Sequence, residues 1–346
     1  MLFYTPSLPQ GAQLGRRNLH DSNMTLLRCK WIWAAVCAMW VTIAPAATLE
    51  NLYETAQPIT SSQDAALVEA LKTVVIRVSG QRDAPARLGS ALSNPRQYVQ
   101  RFGVTQDNVL EVGFDDISID RMLTDAGLPI WGRERPATLI VLGLEETGGD
   151  WVSSEATPLD KDRISRVAHE RGVPLQWGAL DAQDRNVLSM ASDESALLPI
   201  ATRNNAHAVL IGRGRRDSMQ WTLATVDGVV RTTGTLEDGV HLAADAFAKV
   251  FASAGTSLTH VVVDIAGIAN LDAYASTLNY LEGMTSVRGI AVQSVTGDTL
   301  QFRLAIRGSA QTLQRAIALD RRLVPMQGAV TDAPASDPRL AFRYQP

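Results

Sequence analysis

Residues 258–325, LTHVVVDIAGIANLDAYASTLNYLEGMTSVRGIAVQSVTGDTLQFRLAIRGSAQTLQRAIALDRRLVP, carry the most legible pattern in the chain. Leu258 to Ile265 is a β-branched run, followed by a stretch with Leu271, Tyr274, Leu278 and Leu281 on one helical face. The strand Val287 to Val295 meets a Gly297-Asp298 turn. A strand follows in which Leu300, Phe302, Leu304 and Ile306 alternate with their neighbours. A helix with Leu313 and Ile317 and a short strand, Arg322 to Pro325, complete the series. The order strand–helix–strand–strand–helix–strand predicts a ferredoxin-like βαββαβ domain over 256–326. The tail, 327–346, holds Pro, Ala and Asp and is expected to be loose, with Leu340 to Tyr344 as a candidate edge strand.

Working towards the amino terminus, residues 137–255 read as alternating strands and helices. Ala137 to Leu144 has the composition of a buried strand, Lys161 to Arg171 of a helix, and Val173 to Trp177 of a short strand. A helix near Ser195 to Asn204 leads to the strand Ala208 to Gly212. In the hairpin that follows, Met219, Trp221 and Leu223 alternate with polar residues, and Asp227-Gly228 supplies the tight turn. Val240, Ala243, Ala244, Phe247, Val250 and Phe251 then share one helical face. This is an α/β domain with a mixed sheet. Residues 48–136 form an α+β domain that opens with a helix from Ser62, whose apolar stripe of Leu67, Leu71, Val74, Val75 and Val78 stops at Ser79-Gly80. Short helices are expected at Leu88–Leu92 and Pro95–Arg101. The strand Asn108 to Phe114 then precedes a helix with Ile119, Met122, Leu123 and Ala126 inward. The fold class expected is α/β and α+β, with mixed-sheet α/β domains followed by the ferredoxin-like one.

The first 47 residues differ from all this. Met24 opens a conventional secretory leader, and we expect it to be the true start. Arg28 and Lys30 provide the positive region, Trp31 to Ile43 the apolar one, and Ala44-Pro-Ala-Ala47 the small residues a signal peptidase inspects. At 1.5 Å per residue that apolar run reaches only ~20 Å across a hydrocarbon core of roughly 30 Å, so cleavage is expected rather than anchoring. A lipoprotein site is disfavoured, because Cys37 follows Val36 and Cys29 follows Arg28. Arg16-Arg17 lies too far upstream to serve as a twin-arginine signal. Both cysteines are in the leader, so the mature chain has no disulfide, thiolate or cysteine-bound metal. Periplasmic localisation follows as an expectation.

Composition narrows the partners. The chain has 32 basic and 36 acidic residues, and removing Arg16, Arg17, Arg28, Lys30 and Asp21 leaves 28 and 35, a net charge of −7. Nucleic acid is disfavoured, because affinity for it comes mainly from basic surface. After the leader no apolar run is long enough to span a bilayer.

Motifs for chemistry are few. His169, His207, His241 and His260 are never three to five apart, so no local zinc pair exists, and no cofactor motif is found. Gly212-Arg-Gly214 lacks the following helix that would hold a phosphate and reads as a loop. Asp115, Asp116 and Asp120 form an acidic cluster where a helix begins. Capping explains it better than paired-carboxylate chemistry. Trp131, Arg133 and Arg135, in Trp-Gly-Arg-Glu-Arg-Pro136, have the composition of an interaction or anion-contact surface. The alternative is an interdomain linker with the indole packed inside and the arginines solvated or salt-bridged.

Val-Ile-Arg-Val-Ser-Gly80, Leu-Pro-Ile-Trp131 and Arg135-Pro136 resemble a proteobacterial family of exported proteins, the domain of unknown function numbered two thousand and sixty-six, over about residues 48–325. That resemblance implies export and no particular residue's role. Asn205 to Arg213, the Trp221 strand, the Asp227-Gly228 turn and the helix after them resemble the α/β domain of envelope proteins such as the amino-terminal part of TolB and the curli secretion component CsgG. The likeness implies a partner-binding module rather than an enzyme. The functional expectation is therefore a non-enzymatic periplasmic module binding an envelope protein or cell-wall partner. The alternatives are a small-molecule or anion sensor with its pocket near Trp131, Arg133 and Arg135, and a metal-independent hydrolase using Asp115 or Asp116.

Overall fold

Ser62 sets the first helix. Its hydroxyl accepts from the Ala65 N–H at 3.1 Å, and Gly80, in the left-handed region at φ 71°, ends the helix by donating to Ile76 O. In the computed structural model, which describes residues 49, 51–190, 196–326 and 337–345, that helix is α1 (Gln63–Ser79). The leader lies outside the described residues. Preceding α1 is β1 (Glu54–Pro58), too short and polar to be read from sequence. After α2 (Ala84–Leu88) and two 3-10 turns, Gly89–Ser93 and Pro95–Tyr98, come β2 (Val99–Val104), β3 (Val109–Phe114) and α3 (Asp116–Asp125). The three strands form an antiparallel sheet ordered β1-β3-β2, and the α1 stripe packs on it with Leu110, Val112, Phe114, Ile119 and Leu123. The helix expected over 95–101 ends at Tyr98 instead. From Val99 the chain pairs with β3, Phe102 opposite Val112 and Val104 opposite Leu110, a strand pairing that overrides local preference.

The middle of the chain builds β4 (Thr138–Leu144), β5 (Trp151–Val152), α4 (Pro158–Arg171), β6 (Leu175–Gln176), α5 (Ala182–Met190) and α6 (Leu197–Arg203). There follow β7 (Ala208–Arg215), β8 (Ser218–Thr225), β9 (Gly228–Gly234) and α7 (Asp238–Phe251). The sheet order is β5-β4-β7-β8-β9, with β6 also pairing β4. β4 runs parallel to β6 and β7, while β7, β8 and β9 form an antiparallel meander, so the sheet is mixed. Helices cover both faces. Ile140, Leu142, Leu210 and Trp221 pack with α4 and α7, and Leu139, Val141, Val209 and Ile211 pack with α5 and α6. Gly212 and Gly214 lie inside β7 and not in a loop. A Cβ on Gly212 would meet the Trp221 ring at 2.6 Å, so the glycine there makes room for the indole.

The last section contains β10 (Leu258–Ala266), α8 (Leu271–Glu282), β11 (Val287–Thr296), β12 (Thr299–Arg307), α9 (Ala310–Ile317), β13 (Leu323–Pro325) and β14 (Arg339–Tyr344). The βαββαβ order is present, but the sheet reads β11-β12-β10-β14-β13. The tail strand is thus not at the edge. β14 lies between β10, to which it is parallel, and β13, to which it is antiparallel. The reason is apolar: Leu340 and Phe342 are fully buried among Val261, Val263, Ile265 and Leu313. The described residues of Ala44–Pro346 pack as one compact unit.

Candidate functional site

The linker residues singled out in the sequence lead to a junction of helix ends. α1 finishes at Ser79 and α4 at Arg171, and each leaves carbonyls at its carboxyl end without an intrahelical donor. Arg135 supplies those donors. Its Nε donates to Gly132 O at 2.8 Å, Nη1 to Arg171 O at 3.3 Å and Gly172 O at 2.9 Å, and Nη2 to Arg77 O and Trp131 O at 2.8 Å each. The guanidinium lies 3.8 Å over the Trp131 ring centroid. Gly172 sits at φ 65°, and a side chain there would run into the Arg135 guanidinium. Burial, then the neighbouring Arg77 charge, holds the Arg135 pKa well below its usual value. Partial negative charge at the helix ends favours the cation.

Two further buried arginines complete the web. Arg77 donates through Nη1 to Glu54 O at 2.6 Å and to Leu52 O at 3.3 Å, tying α1 to the turn before β1. Burial pushes its pKa down to about 10, against the pull of Glu170. Arg171 donates through Nη2 to Gly80 O at 3.0 Å and to Asp245 Oδ1 at 2.7 Å, and its Nη1 lies 2.9 Å from His241 Nδ1. Burial lowers its pKa too, opposed by Asp245. Trp131 is fully buried, its backbone N–H donating to Val78 O at 2.7 Å and its ring 6.3 Å from that of Phe247.

Trp131 and Arg135 therefore face the interior, where no docking partner reaches them. Arg135 is neither solvated nor salt-bridged, because backbone carbonyls occupy its donors. Of the three, only Arg133 is at the surface, 3.8 Å from Asp116. Guanidinium groups remain protonated throughout the working pH range, so the web orients backbone and offers no proton transfer. Sequence reasoning misses Arg77 and Arg171. The available signal is an arginine on the stripe between Val74 and Val78, where a solvated side chain has no place.

The other candidates separate as well. Asp115 caps α3, its Oδ1 accepting from Ser118 N–H at 2.8 Å, which holds its carboxyl below the usual range. Asp116 faces Arg133, and Asp120 accepts from Tyr53 Oη at 2.7 Å and Arg288 Nη2 at 3.1 Å. Each carboxylate is thus committed to a cap or to a cation. His207 bridges the Ala137 N–H, 3.2 Å from Nδ1, and Leu319 O, 2.9 Å from Nε2. Among the described residues no group of His, Asp and Glu is arranged to hold a metal ion.

One surface stands apart. Among the described residues β2 ends its sheet, and every residue from Gln100 to Val104 is exposed; Phe102 is 55% and Val104 44% accessible. Beside it runs a groove of about 300 Å³ lined by Leu67, Val99, Phe102, Leu110, Arg96 and Arg101.

Among families, residues 46–132 match the model of a domain of unknown function, DUF8605. That span runs from before β1 through α3 to Gly132, so it contains β2 with its groove, Arg77 and Trp131. No curated protein and no solved structure matches the chain.

Proposed function

We propose that this is an exported periplasmic protein serving as a non-enzymatic binding or assembly module of the cell envelope, which captures an extended segment of an envelope protein along β2. The observation that carries the reading is the β2 edge itself. An unpaired strand edge offers backbone donors and acceptors to an added strand, and the groove beside it, where Leu67, Val99, Phe102 and Leu110 meet Arg96 and Arg101, offers a pocket for alternate side chains. Phe102 and Val104 lie on the face that α1 covers further inward, opposite Val112 and Leu110, so an added strand would continue an apolar surface already begun.

The leader supports export: Arg28 and Lys30, the apolar run Trp31 to Ile43 and the small residues at Ala44 to Ala47 are arranged as a signal peptidase substrate. The resemblances to the exported family and to the TolB and CsgG α/β domain point the same way. No helix among the described residues is long and apolar enough to cross a membrane. The sensor reading loses its site, because Trp131 and Arg135 are packed against helix ends.

The test is a photo-crosslinker placed at Phe102 in intact cells, with Val104→Pro as the control. Thr105 N–H donates inward to Val109 O, so by the alternation of an antiparallel ladder the Val104 N–H faces the open edge. Its loss spares the sheet and removes a donor from an added strand. A discrete adduct with one envelope protein, abolished by Val104→Pro in a folded protein, is the expected result. Adducts no different from those of a crosslinker on the exposed Leu271 of α8 would refute the β2 reading.

A further inference from the structure

The reverse face of the first sheet, turned away from α1, repeats one arrangement with a member missing. Glu54 of β1, Gly113 of β3 and Arg101 of β2 lie side by side across the three strands. The Arg101 guanidinium reaches over the glycine to Glu54, Nη2 to Oε1 at 2.9 Å. Both side chains close over Gly113: a Cβ there would lie 3.6 Å from Glu54 Cγ and 3.8 Å from Arg101 Cβ. Two residues along and one strand nearer the edge, the pattern begins again. Glu111 of β3 stands beside Gly103 of β2, and the third strand position lies open. A Cβ on Gly103 would meet nothing within 4 Å, so the lane that Arg101 fills in the first row is empty in the second. Glu111 is exposed and makes no ion pair among the described residues.

What an added strand would place there follows from the ladder. Val104 presents its N–H at the open edge, and so, two residues earlier, does Phe102. Residues paired with these two share the face of Phe102 and Val104, where apolar side chains fit. The residue between them falls opposite Gly103, on the reverse face. From that position to Glu111 is two strand spacings, about 10 Å, the same span that Arg101 crosses to reach Glu54. The order apolar–basic–apolar reads the same in either chain direction, so it holds for a parallel or an antiparallel addition.

We infer that the segment captured along β2 carries an arginine or lysine opposite Gly103, flanked by two apolar residues, and that its cation pairs with Glu111 across the glycine. The inference rests on β2 being a capture edge and adds the chemistry of what is captured. The acidic balance of the chain, 36 acidic against 32 basic residues, works in the same direction, since opposite charge steers encounter.

Selection of short random peptides, displayed on phage, against the purified protein tests it. Enrichment of an arginine or lysine between two apolar residues is expected. In Glu111→Gln, an exposed change whose melting midpoint should match wild type, the same selection should return the apolar pair without the basic preference. Fluorescence anisotropy then compares the enriched peptide with its Arg→Gln or Lys→Gln counterpart. At low salt the basic peptide should bind about two- to fivefold more tightly, the worth of an exposed ion pair. That preference should shrink as salt rises and be absent in Glu111→Gln. A basic preference undiminished in Glu111→Gln, or an apolar pair selected with no preference between its members, would overturn the inference and leave the capture edge standing. Peptides enriched no better on wild type than on Val104→Pro would refute the capture edge and the inference with it.

Discussion

Replacing Arg135 with alanine would strip donors from five carbonyls at once: Gly132, Arg171, Gly172, Arg77 and Trp131. At about 1–3 kcal/mol for each buried acceptor left unmet, the simple sum would approach the whole stability of a domain. Two effects reduce it. Water enters the space the side chain vacates, and the variant loses the repulsion between Arg135 and the neighbouring Arg77 and Arg171 charges. Losses above about 4–5 kcal/mol are exceptional for a single substitution, so a loss on the order of 3–5 kcal/mol is expected here. At ~2–4 °C per kcal/mol for a chain of a few hundred residues, the melting midpoint should fall by on the order of 10 °C. Arg135→Lys should recover little of it, because one ammonium cannot reproduce a planar fork of five donors. Arg133→Ala, at the surface, should stay within about 0.5 kcal/mol of the parent. Urea denaturation followed by tryptophan fluorescence measures all three. An Arg135→Ala midpoint indistinguishable from wild type, or an equal loss in Arg133→Ala, would refute the view that Arg135 holds the junction.

Other outcomes follow from the same structure. A chain ending at Met326 lacks β14 and with it the burial of Leu340 and Phe342, worth ~1.5–3 kcal/mol apiece; hydrogen exchange should show the Val261–Ile265 amides losing protection. Burial lowers the pKa values of His169, His207 and His241 below their ordinary 6.5, so the unfolded chain takes up protons first. Their contribution is intact above about pH 6.5 and lost as pH falls below it; denaturation midpoints at neutral and mildly acidic pH should differ, and His207→Asn should reduce that difference. Amino-terminal sequencing of the protein recovered from cells should begin near Ala47 or Thr48, and a chain retaining Met24 would contradict the cleavage proposed from the leader.

Much of the fold is legible where the signal is local. Ser62 and Gly80 bracket α1, and the alternation of Met219, Trp221 and Leu223 before Asp227-Gly228 announces β8 and β9. Where pairing is long-range, a sequence reading stops short. The alternating Leu340 and Phe342 identify β14 as a strand but say nothing of its neighbours, which are chosen by the apolar slot beside β10. β2 escapes a local reading because Gln100, Arg101 and Gly103 interrupt the strand formers Val99, Phe102 and Val104, and its extended form is settled by pairing with β3, several residues further on. Composition points Trp131 and Arg135 towards a surface. Their destination is set by the carboxyl ends of α1 and α4, segments dozens of residues away whose carbonyls needed donors.

The position of β14 also governs the order in which the last sheet can close. Its parallel neighbour β10 begins about eighty residues earlier, with α8, β11, β12, α9 and β13 between the two strands. Contacts so distant along the chain form slowly compared with the β11–β12 hairpin, so β10 presents an open edge with its apolar face incomplete until β14 docks. From then on the edge of β10 is sealed against pairing with other chains.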